Sequence, residues 1–244
     1  MNIRSAVSKI QKRGILLVYP LQNRPEPRSL WSEFFPRSKM RWEWDSEGDD
    51  RVADLWHLKT GLSGSGKTVY AKWFQGRATF FSKELFPKLL CALGGSEAQL
   101  SPAARRILRV LEEDSPLSTK ELRRRSGHGT KADERAYEKA LKELWGPLFI
   151  VGYGEVEDGA FPSLAIGATS LLFDDLWAEA QKLDPQECAA ELAKTLGEEN
   201  PFYRHFLKVK KATSAAPAPK ARVSRATKGS VGGTLRYEDL IGRR

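Results

Sequence analysis

One short stretch of the chain carries the residue types and spacing of a phosphate-binding loop. GLSGSGKT, residues 61–68, fits the pattern G-x-x-x-x-G-K-[ST], with Gly66, Lys67 and Thr68 at its fixed end. In such a loop backbone N–H groups hold the phosphates, the lysine reaches the terminal phosphates and the hydroxyl holds magnesium. This chemistry requires a buried strand before the loop and a helix after it, with the helix N-terminus facing the phosphates.

The residues on either side of this motif predict the opposite order. RVADLWHL (51–58), capped by Asp49 and Asp50, has the pattern of an amphipathic helix. VYAKWFQGRATFFS (69–82) has the alternation of two strands joined near Gly76. The order helix, loop, strand does not suit phosphate binding, and no apolar run ending in Asp offers a second magnesium ligand. We therefore predict a Gly/Ser-rich connection here, without nucleotide hydrolysis and without a bound cofactor.

Length and composition indicate a globular protein of one large or two ordinary domains. The sequence has no apolar run of the roughly 18 residues that a membrane-spanning helix needs. ILLVYP (15–20) is too short for a secretory signal, so we expect a cytoplasmic protein that does not bind membranes. Cys91 and Cys188 are far apart in sequence and are predicted to be reduced, buried thiols. The three histidines form no ligand spacing with them, so no metal site is expected.

The formal net charge of +9 is concentrated late in the chain. Residues 208–230 contain seven Lys or Arg and no acid, and residues 1–207 carry only +1. From Ala212 onward the composition is mainly Ala, Pro, Ser, Lys and Arg, which predicts a disordered basic tail. The tail ends in TLRYEDLIGRR (234–244), where apolar residues return. This segment is predicted to dock on the chain itself or on a protein partner.

Three helices followed by two strands are predicted between residues 100 and 173. SPAARRILRVLEE (101–113) and STKELRRRSG (118–127) each begin with a capping serine. A third helix runs from about Asp133 to Trp145. LFIVGYG and FPSLAIGA then have the pattern of strands, separated by the acidic loop EVEDGA. This order is typical of a winged helix-turn-helix.

The predicted fold class is α+β. It consists of a mixed α/β N-terminal domain (1–94), a winged helix-turn-helix domain (100–173), C-terminal helices (174–211) and the basic tail (212–244). LLFDDLWAEAQKL (171–183) and DPQECAAELAKTLG (184–197) are predicted as the first two C-terminal helices.

The third predicted helix carries cations on the side opposite its apolar residues, which favours binding to double-stranded DNA. The basic tail adds attraction to phosphates that does not depend on sequence. The acidic loop EVEDGA is unfavourable for a wing that grips phosphates. The residues predicted to contact DNA are Arg123, Arg124, Arg125, Arg135, Lys139, Lys142, Lys208, Lys210, Lys211, Lys220, Arg222, Arg225 and Lys228.

A family resemblance rests on the two strands of YAKWFQGRATFFS and on the KELFPKLL stretch (83–90) that follows them. An aromatic-Trp strand that leads into an Ala-Ser stretch and then a Phe-Pro-Leu-Leu helix resembles the AlkZ-like (YcaQ-like) winged-helix DNA glycosylases. The resemblance covers roughly residues 14–175 and implies tandem winged helices and a role in DNA repair. Members of that family excise damaged bases or unhook crosslinks.

The chain departs from this family at the catalytic signature, which is Gln, an apolar residue, then Asp or Gln. Here GILLVYP (14–20) places Leu17, Val18 and Tyr19 at the matching positions. A glycosylase needs a carboxylate to orient water or stabilise the sugar cation. Glu43 and Asp45 are the candidate replacements. Three functions therefore stay open: DNA binding linked to repair, base excision by non-standard carboxylates, and a protein-contact module.

Overall fold

The computed structural model describes residues 1–41, 49–157, 159 and 162–215. Its helices are α1 (Ile3–Arg13), α2 (Leu30–Phe34), α3 (Asp50–Ser63), α4 (Phe86–Leu93), α5 (Pro102–Glu113), α6 (Thr119–Arg125), α7 (Glu134–Trp145), α8 (Thr169–Leu172), α9 (Asp174–Ala180), α10 (Pro185–Leu196) and α11 (Pro201–Ala215). Its strands are β1 (Ile15–Leu17), β2 (Val69–Phe74), β3 (Arg77–Phe81), β4 (Leu117–Ser118), β5 (Ile150–Glu157) and β6 (Pro162–Ala168). The mixed α+β class predicted from the sequence is confirmed.

Capping residues explain where several helices begin and end. The Asn2 side chain accepts from the Ser5 N–H at the start of α1, and Gly14, at φ 76°, ends that helix. The side chains of Ser101 and Asp184 cap α5 and α10 in the same way, each followed by proline. These ends follow local rules, so the sequence predicts them well.

The six strands form one antiparallel sheet with the order β1-β3-β2-β5-β6-β4. Strands β2 and β5 meet at the pair Tyr70 and Gly152. A Cβ at residue 152 would lie 2.8 Å from the Tyr70 Cε1 atom and 3.1 Å from Leu164, so only glycine fits this junction. The sheet thus joins strands from both predicted domains, and the division into domains stays a prediction.

Alternating side chains of the sheet supply two hydrophobic clusters, one on each face. On β2, Val69 and Trp73 belong to the first cluster, which also contains the buried residues of α4, α5, α7 and α11. Tyr70 belongs to the second cluster, with α1, α2 and α3. Helices α3 and α7 therefore lie on opposite faces of the sheet.

Three segments differ from their sequence-based predictions. The stretch 171–183 is not one helix, because α8 ends at Leu172 and α9 begins after Phe173, whose ψ of 54° interrupts the helix. The predicted loop EVEDGA is strand as far as Glu157. Helix α11 continues to Ala215, four residues into the predicted tail, and the Thr213 and Ser214 hydroxyls donate to the carbonyl oxygens of Val209 and Lys210. Residues 216–244 lie outside the described part of the chain.

The two cysteines are free and buried, as predicted, and the fold brings them together from α4 and α10. Burial, followed by the hydrogen bond with Cys91, raises the pKa of Cys188 to about 12. The Cys91 thiol also donates to the Leu183 carbonyl oxygen at 3.2 Å. Such a raised pKa disfavours the reactive thiolate of Cys188. None of the described helices has the length and apolar character that crossing a bilayer requires.

Candidate nucleic-acid interface

Helix α7 presents a cationic face to solvent and an apolar face to the core. Tyr137, Ala140 and Leu144 are buried in the first cluster, and the Tyr137 hydroxyl donates to the Thr119 carbonyl oxygen at 3.1 Å, which ties α7 to α6. The cations of the opposite face, Arg135, Lys139 and Lys142, are all exposed. Their spacing of four and three residues keeps them on one side of the helix.

None of these three cations forms an ion pair with a residue that the structure describes. The neighbouring acid Glu143 is engaged elsewhere, since its Oε1 atom accepts a hydrogen bond from the Ser101 N–H at 2.6 Å. The positive charge of this face is therefore available to an external anion.

The three arginines at the end of α6 have partners inside the chain instead. Arg123 donates to the carbonyl oxygens of His128 and Thr130, both at 2.9 Å, and so holds the turn that leads to α7. Arg124 forms a two-point ion pair with Glu121, at 2.9 and 2.6 Å, which raises the pKa of Arg124. Arg125 pairs with Asp114 at 2.5 Å. The charges of Arg124 and Arg125 are therefore balanced in part within the fold, and Arg123 holds a turn.

Helix α11 adds cations beside the end of α7. Lys208 and Lys142 line the same groove, and Lys208 and Lys211 are exposed. Lys210 lies with its Nζ 5.7 Å from the centre of the Phe206 ring. The remaining predicted contacts, Lys220, Arg222, Arg225 and Lys228, lie outside the described residues. The fold thus brings together Lys142 and Lys208, which are 66 positions apart in sequence.

Trp73 of β2 holds α7 and α11 in place. Its indole Nε1–H donates to the Gly146 carbonyl oxygen, at the end of α7, at 3.1 Å. Its own carbonyl oxygen accepts from the His205 Nε2–H of α11 at 3.0 Å. One residue of the sheet therefore sets the position of both cationic helices. The sequence showed Trp73 only as part of an alternating strand, since both partners are distant in the chain.

The acidic character of the β5–β6 hairpin is reduced by an ion pair. Glu155 bonds Lys59 of α3, and both side chains are largely buried. Asp158 and Ala160, the other end of the predicted acidic loop, are outside the described residues. The carboxylate of Glu155 is therefore neutralised on the α3 side of the sheet, the face opposite α7.

The positions that match the family's catalytic signature hold no polar catalytic group. Leu17 and Val18 are fully buried in the two clusters. The Tyr19 hydroxyl donates to the Val52 carbonyl oxygen at 3.3 Å, and burial raises the pKa of Tyr19 to about 12. The candidate carboxylates Glu43 and Asp45 lie outside the described residues.

A polar corner that the sequence did not reveal lies next to Tyr19. Tyr70 has a raised pKa, caused first by burial and then by the nearby charges of Glu155 and Tyr19. Desolvation, together with the charge of Lys59, lowers the pKa of Lys72. The polar corner therefore consists of five side chains that only the folded sheet brings together. They are Tyr19, just after β1, Lys59 of α3, Tyr70 and Lys72 of β2, and Glu155 of β5.

The GLSGSGKT segment has the predicted order of helix, loop and strand. Gly61, Leu62 and Ser63 form the end of α3, and β2 begins at Val69. The Thr68 hydroxyl is fully buried without a hydrogen-bond partner among the described residues. The segment therefore lies at the C-terminal end of α3, where the negative end of the helix dipole repels phosphate. Within residues 1–41, 49–157, 159 and 162–215, no group of three or more His, Cys, Asp or Glu side chains could hold a metal ion.

No curated protein and no solved structure matches this chain. A family model described as AlkZ related matches residues 1–203. This match confirms the resemblance predicted from the strands around Trp73 and extends it in both directions. Because the match covers most of the sequence, the chain belongs to the AlkZ-related family.

Proposed function

We propose that this protein binds double-stranded DNA through the cationic face of α7, in a role linked to DNA repair. The observation that carries the proposal is that Arg135, Lys139 and Lys142 are exposed and form no ion pair with a described residue. They lie on α7, whose other side packs in the hydrophobic core. Neutralising DNA phosphates releases condensed counterions, which is the main source of affinity for such a surface.

The arrangement around α7 supports a winged helix-turn-helix. The elements follow the order α5, β4, α6, α7, β5, β6, and the short strand β4 pairs with β6. In proteins of the helix-turn-helix type, the recognition helix lies in the major groove. Helix α7 corresponds to that helix, and the turn before it is held by Arg123. In this proposal the arginines of α6 stabilise the motif, and those of α7 contact DNA.

The charges of α11 extend the same surface. Lys208 shares a groove with Lys142, and Lys211 is exposed one turn further along the helix. The sequence after α11 adds Lys220, Arg222, Arg225 and Lys228. The duplex contacts α7 and Lys208, and the basic residues that follow add affinity without sequence preference. Membership in the AlkZ-related family supports the proposed DNA-repair role and a cytoplasmic location.

A salt titration of binding to a duplex tests this proposal. The full chain is compared with Arg135→Ala/Lys139→Ala/Lys142→Ala, by fluorescence anisotropy across salt concentrations. Each lost phosphate contact reduces the slope of log K against log salt by about 0.9, so we expect a reduction of about 2.7 in the triple variant. A matched control removes three exposed cations from the other side of the molecule, with Arg4→Ala/Lys12→Ala/Lys39→Ala.

Three results would count against the proposal. The first is the absence of duplex binding by the full chain at low salt. The second is equal loss of affinity and slope in the α7 variant and in its control, which would assign binding to overall charge. Strong binding that depends only on Lys220, Arg222, Arg225 and Lys228 would instead favour α7 as a protein-contact surface.

Base excision is the second candidate function, and membership in the AlkZ-related family favours it. The usual signature is replaced by Leu17, Val18 and Tyr19, so the carboxylate would come from Glu43 or Asp45. Incubation with alkylated or crosslinked duplex DNA would then yield abasic sites. If Glu43→Gln or Asp45→Asn no longer yields abasic sites, the replaced residue is the catalytic carboxylate. If turnover is unchanged in both variants, neither residue has that role.

A further inference from the structure

The groove between α7 and α11 is an apolar cleft with cations at its edge. Its volume is about 290 Å³, at the small end of the range for ligand pockets. Such a volume suits a few side chains of a peptide segment. The groove is lined by Leu100, Pro147, Phe149, Val209 and Ala212, with Lys142 and Lys208 contributed by the two helices.

The charged lining of the groove is mixed in sign. Lys142, Lys208 and Glu143 all line it, and the Glu143 carboxylate accepts a hydrogen bond from the Ser101 N–H. Neither lysine forms an ion pair with a described residue. The groove therefore suits an occupant with apolar side chains and with negative charge for the two lysines.

The chain itself leaves α11 at this groove. Ala212 and Thr213, in the last turn of the helix, are part of the lining. Nineteen residues, 216–234, then precede LRYEDLI (235–241), which combines four large apolar residues with two acids, Glu238 and Asp239, and one cation, Arg236. A chain of that length reaches at most about 60–70 Å, far more than a return to the groove needs. Because the segment is tethered, its effective concentration at the groove is on the order of millimolar.

We propose that residues 235–241 dock in the groove between α7 and α11. Leu240 and Ile241 enter the apolar cleft, and Glu238 and Asp239 face Lys142 and Lys208. Since Lys142 and Lys208 are also the proposed DNA contacts, the docked segment competes with DNA. This last step rests on the proposed function, and the docking does not.

Photo-crosslinking in the full chain without DNA tests the docking. Tyr237 is replaced by benzoylphenylalanine, and crosslinked peptides are mapped by mass spectrometry. We expect crosslinks within one chain to residues 96–100, 142–149 or 205–213, and their loss in Ala212→Arg, which fills the groove from an exposed position. The same label at Val231 is the control and should not mark the groove. Crosslinks elsewhere on the chain, or between two chains, would overturn the docking.

DNA affinity tests the competition separately. Leu240→Ala/Ile241→Ala removes the apolar contacts without changing charge, so affinity for duplex DNA should rise several-fold. Val231→Ala is the matched control and should leave affinity unchanged. If the segment crosslinks to the groove but the protein binds no DNA, the docking is supported and the proposed function is refuted. If the protein binds DNA but the segment crosslinks elsewhere, only the docking is refuted. If Leu240→Ala/Ile241→Ala and Val231→Ala bind DNA with equal affinity, the competition is refuted.

Discussion

The indole Nε1–H of Trp73 donates a hydrogen bond to the carbonyl oxygen of Gly146, at 3.1 Å, across 73 positions of sequence. This bond fixes the end of α7 against the central strand β2. The Trp73 ring also makes an edge contact with His205 of α11, with ring centres 4.7 Å apart. The cationic surface is therefore positioned by a residue of the sheet that itself carries no charge.

Trp73→Phe should destabilise the fold, because it leaves the Gly146 carbonyl without this donor and removes buried ring volume. Loss of one partner of a buried hydrogen bond costs about 1–3 kcal/mol. Trp177→Phe is the matched control, since Trp177 is only partly buried. Urea unfolding of both variants gives the free energies. A cost for Trp73→Phe no larger than that of the control would contradict the positioning role.

The ion pair between Lys59 and Glu155 links α3 to β5 and leads to a second prediction. Both side chains are below one-tenth exposed, and the Lys59 Nζ lies 4.2 Å from the centre of the Trp56 ring. Glu155→Gln leaves a buried lysine without its counter-charge, which should cost about 3–5 kcal/mol of unfolding free energy. Lys59→Met/Glu155→Leu removes both charges and should cost less than Glu155→Gln alone.

The control for this prediction is an exposed ion pair. Glu199 pairs with Arg204 at the surface, where its side chain is 91% exposed. Glu199→Gln should change stability by less than about 1 kcal/mol. If Glu155→Gln costs no more than Glu199→Gln, the Lys59–Glu155 pair is not a buried interaction in solution.

Local signals in the sequence predicted most of the elements correctly, because they depend on nearby residues. Ser101 and Pro102 mark the start of α5, and Gly14 marks the end of α1. Helix α7 was predicted within one residue of its start, and its cationic and apolar faces follow from helical spacing. The family resemblance also depended on a local stretch, the strands around Trp73.

Relationships between distant residues were not predictable in this way. The pair Tyr70 and Gly152 joins β2 to β5, but neither strand carries a signal for its partner. Strand β4 has only two residues, too short for alternation to show. The internal partners of Arg123 and Arg125 are only 5 to 11 positions away, but they are not at the three- or four-residue spacing of a helix face, so the sequence grouped these arginines with the exposed cations of α7.

The stability of the fold should fall in mild acid because of His205. Burial, together with the charge of Lys208, lowers the pKa of His205 below its ordinary value of 6.5, although the hydrogen bond to Trp73 opposes the shift. The unfolded chain therefore binds more protons than the folded chain near and below pH 6.5. The stabilisation that the neutral, buried ring provides is present above pH 6.5. It is lost as the pH falls through the lowered pKa of His205 in the folded chain.

Urea unfolding at several pH values between neutrality and mild acid tests this prediction. His205→Gln should reduce the pH dependence of the unfolding free energy, whatever its effect at neutral pH. His57→Gln, at an exposed position on α3, is the control variant for the substitution itself. Equal profiles for wild type and His205→Gln would show that His205 does not contribute to it.

The GLSGSGKT segment should not bind nucleotides, despite its match to the phosphate-loop pattern. Its first residues form the C-terminal end of α3, where the helix dipole is negative. The Lys67 N–H donates to the Ser65 hydroxyl at 3.2 Å, and the Thr68 hydroxyl is buried away from any site for magnesium. We expect calorimetry with Mg-ATP or Mg-GTP to show no saturable binding, and Lys67→Ala, at an exposed position, to leave the melting temperature unchanged. Saturable binding by the wild type that disappears in Lys67→Ala, but persists in the exposed-lysine control Lys39→Ala, would show that the loop rearranges to hold phosphate.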